Sequence, residues 1–172
     1  AMDTAQRGMG LAWPRAQELI ARSLKEAASR KDALIACGVG TDHLNGSGYD
    51  LNQIIDSYLE QLDFVQGEGG RVILMASRAL AAAAGSPDDY LKAYARVLSH
   101  ADQKVVIHWL GEMFDPALEG YWGSADHMEA METCLAMIEE NADKIDGIKI
   151  SLLSKEKEIV MRRRLPAGVR MY

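Results

Sequence analysis

The segment Asp146-Gly147-Ile148-Lys149-Ile150-Ser151-Leu152 decides the expected fold, because it combines the composition of a buried strand with a lysine at its centre. An ammonium group is rarely buried, since desolvation disfavours its charge and lowers the pKa of the amine. An amine with a lowered pKa is a nucleophile that forms Schiff bases with carbonyl compounds. The segment alone leaves open whether Lys149 has this role, points outward or pairs with a carboxylate.

Other apolar runs predict further strands along the chain. These runs cover residues 33–37, 72–76, 104–110 and, at the end of the chain, 169–172. They alternate with amphipathic segments whose helices are predicted to begin near Trp13, Asp50, Ser86, Ser124 and Lys155. A loop is predicted over residues 2–11 and an alanine-rich turn between Arg78 and Gly85. Such alternation predicts parallel strands joined by right-handed helical crossovers.

Two architectures satisfy this pattern, namely an open doubly wound sheet and part of a (β/α)8 barrel. No strand is followed by a G-x-G-x-x-G motif, so a nucleotide-binding fingerprint is absent. Polar residues instead follow several successive strands: Thr41, Asp42 and His43, then Ser77 and Arg78, then His108, then Lys149. Barrel enzymes collect their chemistry at these strand ends. We therefore expect an α/β fold, a partial TIM barrel with about five of its eight strands, as a single incomplete domain over residues 1–172.

Composition restricts the functional class. The formal net charge of −6 argues against nucleic acid or an anionic membrane surface as a partner. No apolar run approaches the roughly 18 residues of a membrane span. The two cysteines, Cys37 and Cys134, form no framework and fit free thiols in a reducing cytoplasm, where we expect the protein to be located.

Four segments of the chain carry a resemblance to a known superfamily. They are Asp3–Leu11 (DTAQRGMGL), Ile107–Pro116 (IHWLGEMFDP), Asp146–Ser151 (DGIKIS) and Met161–Tyr172 (MRRRLPAGVRMY). The sequence resembles the dihydrodipicolinate synthase and N-acetylneuraminate lyase class I aldolases, and most closely their uncharacterised branch called domain of unknown function 993. The resemblance covers essentially the whole chain. Members of the branch extend beyond it at both ends, so the chain is expected to be an internal fragment.

The resemblance implies a (β/α)8 barrel that runs from the end of strand two to strand seven. It places the Schiff-base lysine at Lys149, in the Gly147-Ile148-Lys149 context, with no other cofactor. His108 stands where the superfamily has a proton-relay tyrosine, and we expect its imidazole to titrate near neutrality. Thr4 and Arg7 lie in the region of the loop that holds the substrate carboxylate, where the superfamily has a Gly-Thr-Thr-Gly-Glu-like run that this chain lacks.

The candidate site gathers residues from several strand ends. Lys149 and His108 are the candidate catalytic residues, and the candidate substrate-binding residues are Arg7, Thr4, Asp42, His43, Arg78 and Glu112. Trp109 and Asp115 are expected to line the same mouth. Tyr121 and Trp122 are expected to pack beneath the loop, and His100 and His127 to lie at the surface.

Three functions compete. The first is a Schiff-base lyase or aldolase acting on a keto acid or a sugar-derived carbonyl compound. The second is a sugar isomerase or epimerase whose divalent metal would be bound by Asp42, His43, His108 and Glu112. The third is a non-catalytic ligand-binding barrel, since a fold alone does not imply activity. An incomplete barrel would expose its strand edges, so we expect the missing parts, or a second copy in a homo-oligomer, to close the sheet.

Overall fold

The computed structural model describes residues 4–30 and 32–172, with side chains described from Gln6 onward. Its centre is one parallel sheet in the order β1-β2-β3-β4-β5. The strands are β1 Ala36–Val39, β2 Arg71–Met75, β3 Val105–Leu110, β4 Ile145–Ser151 and β5 Arg170–Met171. A parallel α/β fold is therefore confirmed. Each strand pairs with the next strand in the chain, without the reversal of order that marks a doubly wound sheet.

Within the described residues, six α-helices connect and flank the strands. They are α1 Trp13–Ala28, α2 Leu51–Gly67, α3 Arg78–Ala83, α4 Pro87–Ser99, α5 His127–Glu140 and α6 Lys155–Arg164. The predicted turn after Arg78 is wrong, because its alanines form α3, and the hydroxyl of Ser77 caps it by accepting from the Leu80 amide at 2.9 Å. The predicted loop near the start of the chain contains a π-helical turn, Thr4–Gly8.

The two faces of the sheet differ in burial. On β3, Val105, Ile107 and Trp109 are at most 2% exposed and belong to the same core cluster as the buried faces of the helices. Val106 and Leu110, which alternate with them, are only half-buried. Successive side chains of a strand point to opposite faces, so one face packs under the helices and the other, here called the inner face, is more open.

Aromatic side chains fill the helix-covered side near the ends of β2 and β3. The hydroxyl of Tyr121 lies 3.0 Å from that of Tyr94 and accepts from the Ser77 amide at 3.2 Å. Tyr121 and Trp122 are buried, as expected. Trp109 was expected at the mouth of the site, but it is 1% exposed and packs edge-to-face on Trp122 at 6.3 Å, so that expectation is wrong.

Two further expectations concern thiols and membranes. Cys37 and Cys134 are free and buried, as expected. Within the part of the chain that the structure describes, no helix is long and apolar enough to cross a membrane.

Candidate active site

Strand register brings the two candidate catalytic residues together. Met75 of β2 is aligned with His108 of β3, and His108 is aligned with Lys149 of β4. Aligned residues of neighbouring parallel strands point to the same face, and their strands lie about 4.8 Å apart. His108 and Lys149 are therefore direct neighbours on the inner face, close to the carboxyl ends of their strands.

Lys149 is exposed, although it lies in the middle of a strand whose neighbouring residues are buried. Its strand neighbours Ile148 and Ile150 are 0% and 6% exposed and face the helices, whereas Lys149 points to the inner face and is exposed. Of the alternatives that the segment left open, the structure matches the one in which Lys149 points away from the buried core. The side chain of Lys149 lies beside His108 and is accessible to a small molecule.

His108 is the buried member of the pair. It is 6% exposed, and its Nε2 lies 3.1 Å from the hydroxyl oxygen of Ser151. Burial, and then the positive charges of Lys149 and Arg7, lower the pKa of His108 to about 4. The expectation that this imidazole titrates near neutrality is wrong, because a histidine with such a pKa is neutral at pH 7.

Arg7 neutralises two carboxylates instead of presenting an open guanidinium. Its Nε donates to both carboxylate oxygens of Asp42 at 2.9 Å, and its Nη1 lies 3.5 Å from Oδ2 of Asp115. Its Nη2 donates to the Ala76 carbonyl at 2.5 Å. The side chains of Arg7 and Asp115 are each 8% exposed and that of Asp42 is 10% exposed, so this three-residue ion-pair cluster is largely buried. Arg7 thus joins the π-helical turn to the ends of β1 and β2.

Arg78 differs from Arg7 in exposure. Its Nε donates to Oδ2 of Asp115 at 2.7 Å, and its side chain is 48% exposed. It lines a cavity of about 820 Å³ together with Thr41, Asp42 and the loop of residues 44–51. Lys149 and His108 do not line this cavity, so the cavity does not contain the lysine–histidine pair. Asp115, expected only to line the mouth, is the residue that links the two arginines.

His43 lies against helices α1 and α2. Its Nδ1 accepts from Nε2 of Gln61 at 2.7 Å, its Nε2 lies 3.2 Å from Oε2 of Glu60, and its ring stacks on Trp13 at 5.7 Å. These contacts occupy both ring nitrogens and one ring face. The structure therefore does not bring His43 to His108 and Lys149.

Glu112 belongs to a separate cluster. Nε2 of His127 donates to Glu112 at 3.0 Å, and the amine of Lys157 donates to Nδ1 of His127. Burial alone raises the pKa of Glu112, but hydrogen bonds from its own backbone and from His127, together with the positive charge of Lys157, lower it overall. The expectation that His127 lies at the surface is wrong, since its side chain is 12% exposed. His100 is exposed, as expected.

The remaining predictions of site residues concern Thr4 and the proposed metal ligands. The side chain of Thr4 lies outside the described part of the chain. The residues proposed as metal ligands are engaged separately: Asp42 with Arg7, His43 with Glu60, His108 with Ser151, and Glu112 with His127. Across residues 4–30 and 32–172, no group of three His, Cys, Asp or Glu side chains is arranged to hold a metal ion.

The parallel sheet in sequential order makes this an α/β protein. Its candidate site is the lysine and histidine that lie side by side near the strand ends. The chain belongs to the family described as protein of unknown function (DUF993), whose model matches residues 1–172. No curated protein matches the sequence.

The solved structures with a similar fold include the following three. A 2-keto 3-deoxygluconate aldolase from Picrophilus torridus is 17% identical and superposes with a TM-score of 0.58. The match covers 90% of this chain and 47% of the aldolase chain. A proposed dihydrodipicolinate synthetase from Pseudomonas aeruginosa is 15% identical with a TM-score of 0.65, covering 96% and 48%. A dihydrodipicolinate synthase from Oceanobacillus iheyensis is 14% identical with a TM-score of 0.59, covering 95% and 44%. The chain thus shares their fold and spans a little under half of their length.

Proposed function

We propose that this chain is part of a (β/α)8 barrel that performs Schiff-base chemistry, as a lyase or aldolase, on a keto acid or a sugar-derived carbonyl compound. The observation that carries the proposal is the alignment of Lys149 with His108 on the open inner face. It places an accessible amine beside a neutral imidazole, which is the pairing that iminium formation needs.

The partial barrel is supported by strand order and by length. Five consecutive parallel strands pair in sequence, as neighbouring strands of a (β/α)8 barrel do. The solved structures of similar fold are about twice as long as this chain, which leaves room for the remaining strands. We propose that these strands, or a second copy of the chain in a homo-oligomer, cover the free edges of β1 and β5.

The proposed reaction begins at Nζ of Lys149. The unprotonated amine attacks the carbonyl carbon, so a carbon–nitrogen bond forms while the carbon–oxygen π electrons move to oxygen. His108 accepts the proton that the nitrogen releases and returns it to the oxygen. A second proton, supplied by solvent, then lets that oxygen leave as water. The resulting iminium withdraws electrons from the adjacent carbon, so that a carbon–carbon bond can break or a hydroxyl group can leave.

The binding residues receive different roles in this proposal. Arg78 is half-exposed and borders the cavity, so it is the arginine we propose for an anionic group of the substrate. Arg7 is assigned to holding Asp42 and Asp115 in place, because its charge is already balanced by both. Glu112 lies in a different cluster and has no direct role here. Thr4 keeps its expected role near the substrate carboxylate.

Borohydride trapping tests the proposal. The protein is incubated with a panel of 2-keto acids and keto sugars, reduced, and weighed intact by mass spectrometry. We expect a mass gain equal to the reduced adduct, lost in Lys149→Ala and retained in Lys104→Ala, whose lysine is exposed and precedes β3. An adduct that persists in Lys149→Ala, or no adduct with any carbonyl compound, refutes the Schiff-base function and favours a non-catalytic barrel.

A further inference from the structure

Ser151 lies on the same inner face as the candidate catalytic pair. It follows Lys149 by two residues on β4, so both side chains point the same way, about 6.6 Å apart along the strand. Its hydroxyl oxygen lies 3.1 Å from Nε2 of His108, which reaches diagonally across from β3. Nε2 is therefore the ring nitrogen that faces β4, the strand carrying Lys149.

The backbone fixes Ser151 in this position. Its carbonyl accepts from the Gly111 amide at 3.0 Å, which continues the pairing of β3 and β4 beyond the end of β3. A Cβ atom at Gly111 would lie 2.8 Å from this carbonyl oxygen and 2.3 Å from the sulfur of Met113, so the close approach requires glycine here. The Ser151 hydroxyl thus has a defined location relative to the imidazole.

The direction of the hydrogen bond follows from the charges around it. A serine hydroxyl can donate to an unprotonated ring nitrogen or accept from a protonated one. A positive charge on the β4 side favours a nitrogen lone pair directed toward it and disfavours an N–H in that direction. The ammonium of Lys149 supplies this charge, and the neutral state of His108 leaves one nitrogen free of a proton.

We propose that Ser151 is a positioning residue for His108, whose hydroxyl donates to Nε2 and holds the imidazole as the Nδ1–H tautomer, with its lone pair toward the Lys149 strand. The tautomer is set by the second hydrogen-bond partner, as is general for functional histidines. The catalytic consequence rests on the proposed Schiff-base function. Once the Ser151 hydroxyl gives up this hydrogen bond, the same lone pair accepts the proton that Lys149 releases as its nitrogen bonds to the carbonyl carbon, and His108 then returns that proton to the departing oxygen.

Nitrogen-15 spectroscopy of the histidine rings tests the proposal directly. The chain has four histidines, so the two-bond proton–nitrogen correlations are few, and His108→Gln identifies those of His108. We expect an unprotonated Nε2 and a protonated Nδ1 for His108 in the unaltered chain and in Ser151→Thr, which keeps the hydroxyl. In Ser151→Ala the ring should move toward the Nε2–H form that predominates in water. Ser29→Ala, which removes an exposed hydroxyl at the end of α1, is the matched control and should leave the His108 tautomer unchanged.

Two results would overturn the proposal: an Nε2–H tautomer in the unaltered chain, or an Nδ1–H tautomer that survives in Ser151→Ala. Trapping kinetics give the second readout, with an expected loss of about tenfold in Ser151→Ala and recovery in Ser151→Thr, a fraction of the usual effect of proton-transfer groups. Equal trapping rates in Ser151→Ala and the unaltered chain would remove the catalytic role. If no variant is trapped at all, the Schiff-base function fails, while the spectra still decide the tautomer.

Discussion

Replacement of Lys149 by methionine should raise the pKa of His108. The ammonium of Lys149 is one of the two positive charges that disfavour the imidazolium, after burial as the largest cause. Methionine keeps the length and apolar stem of the side chain and removes the charge. The pKa of His108 therefore moves from about 4 toward the ordinary value, but stays below it because His108 remains 6% exposed.

The size of the change follows from the separation of the two groups. Side chains on aligned residues of neighbouring strands place two charges roughly 7 Å apart, which corresponds to about 0.6 kcal/mol in bulk water and about 2.4 kcal/mol at an effective dielectric constant of 20. One pKa unit corresponds to about 1.4 kcal/mol. Because Lys149 is exposed, the lower half of this range applies, and we expect the pKa of His108 to rise by about 0.5 to 1.

Proton NMR titration of the four histidine rings between about pH 3 and pH 8 measures this change. Lys104→Met is the control, since it removes an exposed lysine located before the start of β3. An unchanged or lowered pKa of His108 in Lys149→Met would refute the reasoning, because it would mean that the two side chains do not interact across the inner face.

Other predictions concern stability. His108 binds a proton more readily in the unfolded chain than in the folded one. The free energy of unfolding should therefore fall by up to about 3 kcal/mol as the pH drops from about 6.5 to 4. Urea unfolding of His108→Gln should show that most of this pH dependence is lost. Arg7→Met should lower the free energy of unfolding by about 3–5 kcal/mol, because it leaves the buried carboxylate of Asp42 unpaired and leaves Asp115 with Arg78 alone. Arg22→Ala at an exposed pair should change it by less than about 1 kcal/mol. Gly111→Ala should lower the melting temperature, at a cost of about 1–3 kcal/mol, because the new methyl group overlaps the Ser151 carbonyl; an unchanged melting temperature would contradict the close approach.

The alternation of apolar runs with helical segments was enough to predict the parallel sheet, because both signals are local. The helix after Arg78 was missed although Ser77, its cap, stands directly before an alanine-rich segment that favours helix. The polar residues that follow the strands led us to predict a substrate-binding site at the carboxyl ends of those strands. They did not predict the Arg7–Asp115 contact, which joins residues more than one hundred positions apart. The exposure of Lys149 depends on what covers the inner face, which a strand's own composition does not encode.

Under the proposed function, the Ser151–His108 pair would explain how a histidine could serve where the superfamily resemblance leads us to expect a tyrosine. A phenol has a pKa near 10, so at neutral pH it serves as a hydroxyl donor that also accepts. A neutral imidazole with a pKa of about 4 is a weak acceptor whose protonated form returns its proton readily. If Ser151 supplies the hydroxyl and His108 the lone pair, the two side chains together provide the donor and the acceptor that one tyrosine combines. Loss of either group should then slow iminium formation, and loss of both should cost little more than loss of one, since they act as a unit.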